Sequence, residues 1–122
     1  MATMTIAVGN PPYGQQRVYT ALRFLLVALH EGHSVNLFLF EDAVVAAKRG
    51  QKPPEMPVGD AGMPNCEEHL KAALAEGAQI RVCRVCISER GLVESELVPG
   101  IEIGSMADLV RWVVETDKAI FF

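Results

Sequence analysis

The run Ser34 to Phe40 (SVNLFLF) constrains the fold more than any other stretch, because its apolar character is nearly continuous. A strand with one wet face alternates apolar and polar residues. A strand that is apolar on both sides needs cover on both sides, and that is the environment of a parallel sheet between helices. Parallel strands in turn need long crossover connections, usually helical. The rest of the chain supplies the pieces.

Thr3 to Gly9 (TMTIAVG) reads as a first short, buried strand, followed by the turn Asn10-Pro11-Pro12-Tyr13-Gly14. Gln15 to Glu31 reads as a helix, with Val18, Leu22, Leu25, Leu26 and Leu29 at helical spacing and Gly32 as its stop. Phe24, Val27 and Ala28 widen its apolar surface beyond one stripe, which points to an interface. His30 and His33 flank Gly32 and read as surface positions near a helix end rather than metal ligands. After the second strand, Asp42 to Arg49 (DAVVAAKR) reads as a helix capped by Asp42 and ended by Gly50. Gln51 to Pro64 contains four prolines and two glycines and reads as a long loop. Lys48, Arg49 and Lys52 beside it suit either an anionic ligand or a solvated helix end.

Asn65-Cys66-Glu67-Glu68 has the form of a capping box, with Glu68 reaching back. The helix it opens runs to about Glu76, with Leu70, Ala73 and Leu74 as its stripe. Gln79 to Cys83 is a third strand, and Leu92 to Gly100 is irregular. Ile101-Glu102-Ile103 is a short strand, and Ser105 with Asp108 is a second cap. The last helix runs to about Thr116, with Leu109, Val110, Trp112 and Val113 facing inward. Lys118 to Phe122 (KAIFF) is a final strand.

Strand and helix alternate along the whole length. That order predicts a single α/β domain over residues 1–122, a three-layer α/β/α sandwich with a mainly parallel sheet, flavodoxin-like in outline. Such sheets take ligands at the carboxyl ends of their strands. The prediction therefore gathers the Asn10–Gly14 loop, the Glu41-Asp42 junction and Cys83 around one crevice.

Composition narrows the function. Half the residues are apolar and mean hydropathy is +0.21, so apolar surface is left for other subunits to cover. A net charge of −4 gives no electrostatic footprint for nucleic acid. The longest apolar run, Phe24 to Leu29, is far too short for a membrane span, and no export signal is read, so the expected compartment is the cytoplasm. Three cysteines in that setting argue against structural disulfides.

Chemistry concentrates in Arg81-Val82-Cys83-Arg84-Val85-Cys86-Ile87-Ser88-Glu89-Arg90-Gly91. Here a strand gives way to a short turn of helix that stops at Gly91. Cys83 falls at its start and Cys86 one turn on. A helix start favours thiolate over thiol, and Arg81, Arg84 and Arg90 add positive charge. Cys83 is therefore the expected reactive thiol. Cys66, in the first turn of its own helix, is exposed to the same effect, though a buried, idle thiol is the simpler reading. Asn10, Pro12, Tyr13 and Gly14 are candidate pocket residues, with Tyr13 either lining a site or packing as a turn residue. A Cys66, His69, Cys83, Cys86 zinc site has the right residue types but no established spacing, so no metal and no cofactor is expected.

In order and spacing the chain resembles the DsrE/DsrF-like family. The resemblance rests on Pro12-Tyr13-Gly14, Arg49-Gly50-Gln51-Lys52-Pro53, Cys83-x-x-Cys86 with Arg90-Gly91, Glu102-Ile103-Gly104 and Asp117-Lys118. It implies a five-stranded parallel sheet and an oligomer, a homotrimer or homohexamer, with hetero-hexamers in the sulfur-relay branches. It also implies one active cysteine at the end of the third strand, followed by a short helix and an Arg-Gly. Counting back from Arg90-Gly91 puts Cys83 there. The implied function is to accept sulfur from a donor protein as a persulfide and pass it to an acceptor protein. Relay members do not require a cysteine at the place of Cys86, which here is available as a resolving thiol.

Two rivals stand beside this reading. Cys-x-x-Cys at a strand-to-helix junction also suits a thiol-disulfide redox protein, although no Trp or Pro flanks the pair. The other is a non-enzymatic oligomeric module that binds a small ligand or regulates, with its thiols redox-sensitive or inert.

Overall fold

The computed structural model describes residues 1–52, 57–58, 61–62 and 65–122. In chain order the elements are β1 (Thr3–Val8), α1 (Arg17–His30), β2 (Ser34–Leu39), a 3-10 segment (Glu41–Ala47), β3 (Pro57–Val58) and β4 (Ala61–Gly62). They continue with α2 (Cys66–Ala75), β5 (Gln79–Cys83), α3 (Arg84–Glu89), a 3-10 turn (Glu94–Glu96), β6 (Glu102–Gly104), α4 (Met106–Glu115) and β7 (Lys118–Phe121).

Five strands form one sheet in the order β6-β5-β2-β1-β7, and every pairing in it is parallel. β3 and β4 pair with each other, antiparallel. The expected loop Gln51 to Pro64 lies largely outside the described residues.

The centre of the sheet is buried on both faces, as the β2 run requires, while the edge strand β7 is largely exposed. Leu37, Phe38 and Leu39 are fully buried. Successive strand residues face opposite ways. Phe38 meets the Trp112 ring of α4 edge-on at 6.3 Å, and Thr5 Oγ1 lies 3.0 Å from the Trp112 carbonyl oxygen. The same side of β5 sends Arg81 over the Trp112 ring at 4.8 Å and into ion pairs with Glu102 and Asp108. On the other face α1 packs against β1, β2 and α2. Its buried residues Val18, Ala21, Leu22, Leu25 and Ala28 recur at helical spacing. Gly104 is required by closeness: a Cβ there would lie 3.2 Å from both Phe38 and Arg81 side-chain atoms.

Three expectations need correction. Glu41–Ala47 is a 3-10 segment, not an α-helix through Arg49, and Asp42 does not cap it. Its charge goes to Arg90 instead. Only half of the Asn65 box forms among the described residues: Asn65 Oδ1 accepts the Glu68 N–H at 2.8 Å, without a return bond from Glu68. Val110 is 56 % exposed and faces outward, whereas Leu109 and Trp112 are buried and Val113 packs half-buried against the core. The Ser105 cap closes in both directions with Asp108. KAIFF forms an edge strand on β1, tied down where Asp117 accepts the Thr3 N–H at 2.8 Å.

Acid should loosen this fold. The carboxyls of Glu67, Asp108 and Asp117 sit below their usual ranges, each held mainly by backbone N–H donors: Gln51 for Glu67, Ser105 for Asp108 and Thr3 for Asp117. A depressed carboxyl contributes stability that is present above its unfolded value, about 4, and is lost as pH falls through its folded value. Urea unfolding should show stability falling as pH drops from about 5 to 3. Glu67→Gln should lower stability at neutral pH and flatten that acid slope.

Candidate functional site

The carboxyl ends of β1, β2 and β5 lie side by side, so the loops that follow them gather on one edge of the sheet. Two separate clusters form there.

The first is built on the cysteine pair. Cys83 ends β5 and, with an extended backbone, occupies the cap position of α3. It therefore precedes the helix rather than opening it, and its sulfur takes no capping hydrogen bond. The residue is 6 % exposed. Cys86, within α3 and one helical turn on from Cys83, is half-buried. Both thiols are free. The Glu41 N–H donates to Cys86 Sγ at 3.0 Å. The Cys86 thiol sits above its usual range: burial and the neighbouring Cys83 sulfur push it up and outweigh the Glu41 N–H and the Arg90 guanidinium, which pull it down.

Of the three arginines expected here, one serves the pair. Arg90 donates from Nε and Nη2 to Asp42 Oδ1 at 3.1 and 2.8 Å, and from Nη1 to the Cys86 carbonyl at 3.1 Å. Gly91 behind it adopts a φ of 69°, a conformation that favours glycine. Arg81 is committed to α4 and Arg84 is exposed, without a hydrogen bond or ion pair among the described residues.

The second cluster contains the other predicted pocket residues. The Tyr13 hydroxyl donates to Gln51 Oε1 and accepts the Cys66 N–H at 3.1 Å. Burial pushes its pKa up to about 12, so it stays a neutral hydrogen-bonding group. The Cys66 thiol lies 3.8 Å from the Pro12 carbonyl, and the Asn10 side chain donates to Gln15 Oε1 close by in sequence. Gly14 closes the turn with a φ of 87°. Pro12 and Tyr13 thus tie their loop to the start of α2 and not to the cysteine pair, while Asn10 and Gly14 shape the loop itself.

Cys66 is 3 % exposed, and burial pushes its thiol up, the reverse of the shift expected from its place in the first turn of a helix. The zinc set is not assembled: His69 turns to the Asn65 carbonyl and stacks edge-on against Tyr19. Among the described residues no three His, Cys, Asp or Glu side chains are grouped to hold a metal. Lys48 pairs with Glu96, and Arg49 donates to the Ser95 carbonyl, so neither offers a free anion site.

Sequence reasoning set the Glu41-Asp42 junction beside Cys83 without giving either residue a role, and it gave Glu67 none beyond its helix start. Glu67 Oε1 accepts the N–H groups of Gly50 and Gln51 at 2.9 and 3.0 Å, fastening the Arg49–Lys52 stretch to α2. The Asp42–Arg90 contact spans 48 positions, and no local pattern marks such a pair. A non-glycine φ of 50° at Glu41 leaves no trace in sequence either.

The chain is 44% identical over 119 residues to an uncharacterised protein of Methanopyrus kandleri, covering 98% of this chain and 93% of that one. It is 34% identical over 125 residues to protein YchN of Escherichia coli, with both chains fully covered. The crystal structure of that YchN superposes with a TM-score of 0.87 over the full length of both chains, at 31% identity. Sulfurtransferase TusD of Sodalis glossinidius is 29% identical over 134 residues, covering 96% of this chain and 95% of that protein. The sequence profile of the DsrE/DsrF-like family matches residues 2–122. Five parallel strands, the cysteine at the end of β5 and this match lead to one conclusion: the chain belongs to the DsrE/DsrF-like family.

Proposed function

We propose that this protein carries sulfane sulfur as a persulfide on Cys83, with Cys86 as the thiol that discharges it. The observation that carries this reading is the pair of free thiols one helical turn apart at the carboxyl end of β5, in a chain 29% identical to a named sulfurtransferase. In the loading step the Cys83 thiolate attacks the outer sulfur of a donor persulfide. The donor sulfur–sulfur bond breaks, the donor leaves as thiolate, and Cys83 becomes Cys–S–SH. The outer sulfur then passes to an acceptor protein by the same exchange or, where Cys86 attacks the persulfide, leaves as hydrosulfide as a Cys83–Cys86 disulfide forms.

The test is intact mass after incubation of the reduced protein with a cysteine desulfurase and cysteine. A gain of one sulfur atom, reversed by dithiothreitol, is the expected result. Absence of any gain while the thiols remain open to alkylation would refute the reading. The adjacency of Cys83 and Cys86 also favours a second reading, thiol-disulfide exchange. That reading predicts insulin or glutathione turnover with no sulfur uptake.

Exposed apolar surface supports assembly as well. Met106, Val110 and Val114 are 57, 56 and 76 % exposed and follow one another at i, i+4 and i+8 along α4. That apolar stripe supports a homo-oligomer, a trimer or two trimers stacked as a hexamer. Sedimentation should show three or six chains together, and a monomer at micromolar concentration would contradict it. No helix among the described residues is long and apolar enough to cross a membrane. Three free thiols suit the reducing cytoplasm.

A further inference from the structure

The Cys86 sulfur is the acceptor in a built contact that sulfur loading on Cys83 leaves unused. The Glu41 N–H reaches it at 3.0 Å from a residue whose φ of 50° is unfavourable for any side chain but glycine. Something must hold Glu41 in that conformation. The Arg90 fork does so: it grips Asp42, the next residue, through two N–H groups and the Cys86 carbonyl through a third. One guanidinium therefore bolts the 3-10 segment to α3 on both sides of the sulfur contact.

We propose that Arg90 and Asp42 are positioning residues that lock the Glu41 N–H onto the Cys86 sulfur and so stabilise the Cys86 thiolate as it forms to expel sulfide from Cys83. The chemistry rests on the sulfur-carrying reading above. The Cys86 thiolate attacks the inner sulfur of the Cys83 persulfide. A Cys83–Cys86 bond forms, the persulfide bond breaks, and hydrosulfide leaves with the electron pair. The two cysteines are oxidised to a disulfide and the sulfane sulfur is reduced to sulfide. A dithiol reductant then restores both thiols.

The charged and titratable groups around this sulfur are Cys83, the exposed Glu41 carboxylate, Asp42, Glu89 and Arg90, with Glu89 and Asp42 both paired to Arg90. That arrangement separates positioning from simple charge. Removing the Asp42 anion would by charge alone favour a Cys86 thiolate. If Asp42 acts by holding Arg90 and Glu41 in place, its removal must disfavour that thiolate.

The experiment is the pH profile of iodoacetamide alkylation at Cys86 in a Cys83→Ser background, alone and with Arg90→Gln or Asp42→Asn. Both added changes should raise the midpoint and slow alkylation at pH 7 by about three- to tenfold. Asp42→Asn keeps the side chain's shape, so it decides the matter even where Arg90→Gln fails to fold. An unchanged or lowered midpoint in Asp42→Asn overturns the proposal. In a Cys83-containing protein, sulfide release per loaded chain should slow to a similar degree in Asp42→Asn. Raised midpoints in a protein that never loads sulfur would refute the carrying reading and leave the latch standing. Loading with unmoved midpoints would do the reverse.

Discussion

Cys83→Ser is expected to lose sulfur loading down to background, whereas Cys86→Ser loads normally and releases sulfide at least about tenfold more slowly. The asymmetry follows from position. Cys83 is the last residue of β5, fixed by its pairing in register with Gly104 of β6. Cys86 lies one helical turn further along, half-buried, and holds the only sulfur with a backbone donor aimed at it among the described residues. The first is suited to carrying an extra sulfur atom, and the second to attacking it. Serine at Cys83 differs by one atom and costs on the order of 1 kcal/mol, so the variant should remain folded. Loss of loading would then report chemistry and not collapse. If Cys83→Ser still takes up sulfur, the assignment is wrong.

Phe38→Ala is expected to cost about 3–5 kcal/mol, near the top of the range for truncating one buried side chain. Phe38 is fully buried in the central strand β2 and is the larger part of the contact between the sheet and α4. Its ring also fills the space that Gly104 leaves open. Small domains have roughly 5–15 kcal/mol in total, so one such change takes much of the margin. The midpoint of thermal unfolding should fall by roughly 10–20 °C. Phe24→Ala, at a residue 40 % exposed on α1, should cost less than about 1 kcal/mol and serves as the comparison. Equal losses at the two positions would show that the Phe38–Trp112 contact does not organise the second layer.

Most of the architecture was legible because it is written in local periodicity. The apolar run at β2, the spacing in α1, the Ser105 cap and the KAIFF terminus each specify their own element, and the structure places all four as read. The 3-10 segment was not legible. Ala43, Val44, Ala46 and Ala47 have helical composition, but tertiary burial sets their conformation. Val110 was misread for a related reason. Its spacing fits the inward stripe of α4, yet a helix with only Leu109 and Trp112 buried against the sheet leaves it outside.

The site was half legible. Two cysteines at a strand-to-helix junction stand out in sequence, and Arg90-Gly91 marks where the short helix ends. Proximity in sequence was misleading for the arginines. Arg81 and Arg84 flank Cys83 directly, but the one that serves the pair is Arg90, which meets Cys86 across a helical turn and Asp42 across the fold. The Asn10–Gly14 loop lies at the correct edge of the sheet, but its hydrogen bonds lead to Cys66 and Gln51. Side-chain partners separated by tens of residues have no local signature, and those partners decided which loop joined which cluster.

The most direct test of the central claim is where the sulfur sits. Trypsin cuts after Arg81, Arg84 and Arg90 and so places Cys83 and Cys86 on different peptides. The desulfurase-treated wild-type protein should be alkylated to trap persulfides, digested and weighed. The extra sulfur is predicted on the peptide carrying Cys83, with Cys86 and Cys66 unmodified at early times. Sulfur found first on Cys66, or on Cys86 with none passing through Cys83, would contradict the account.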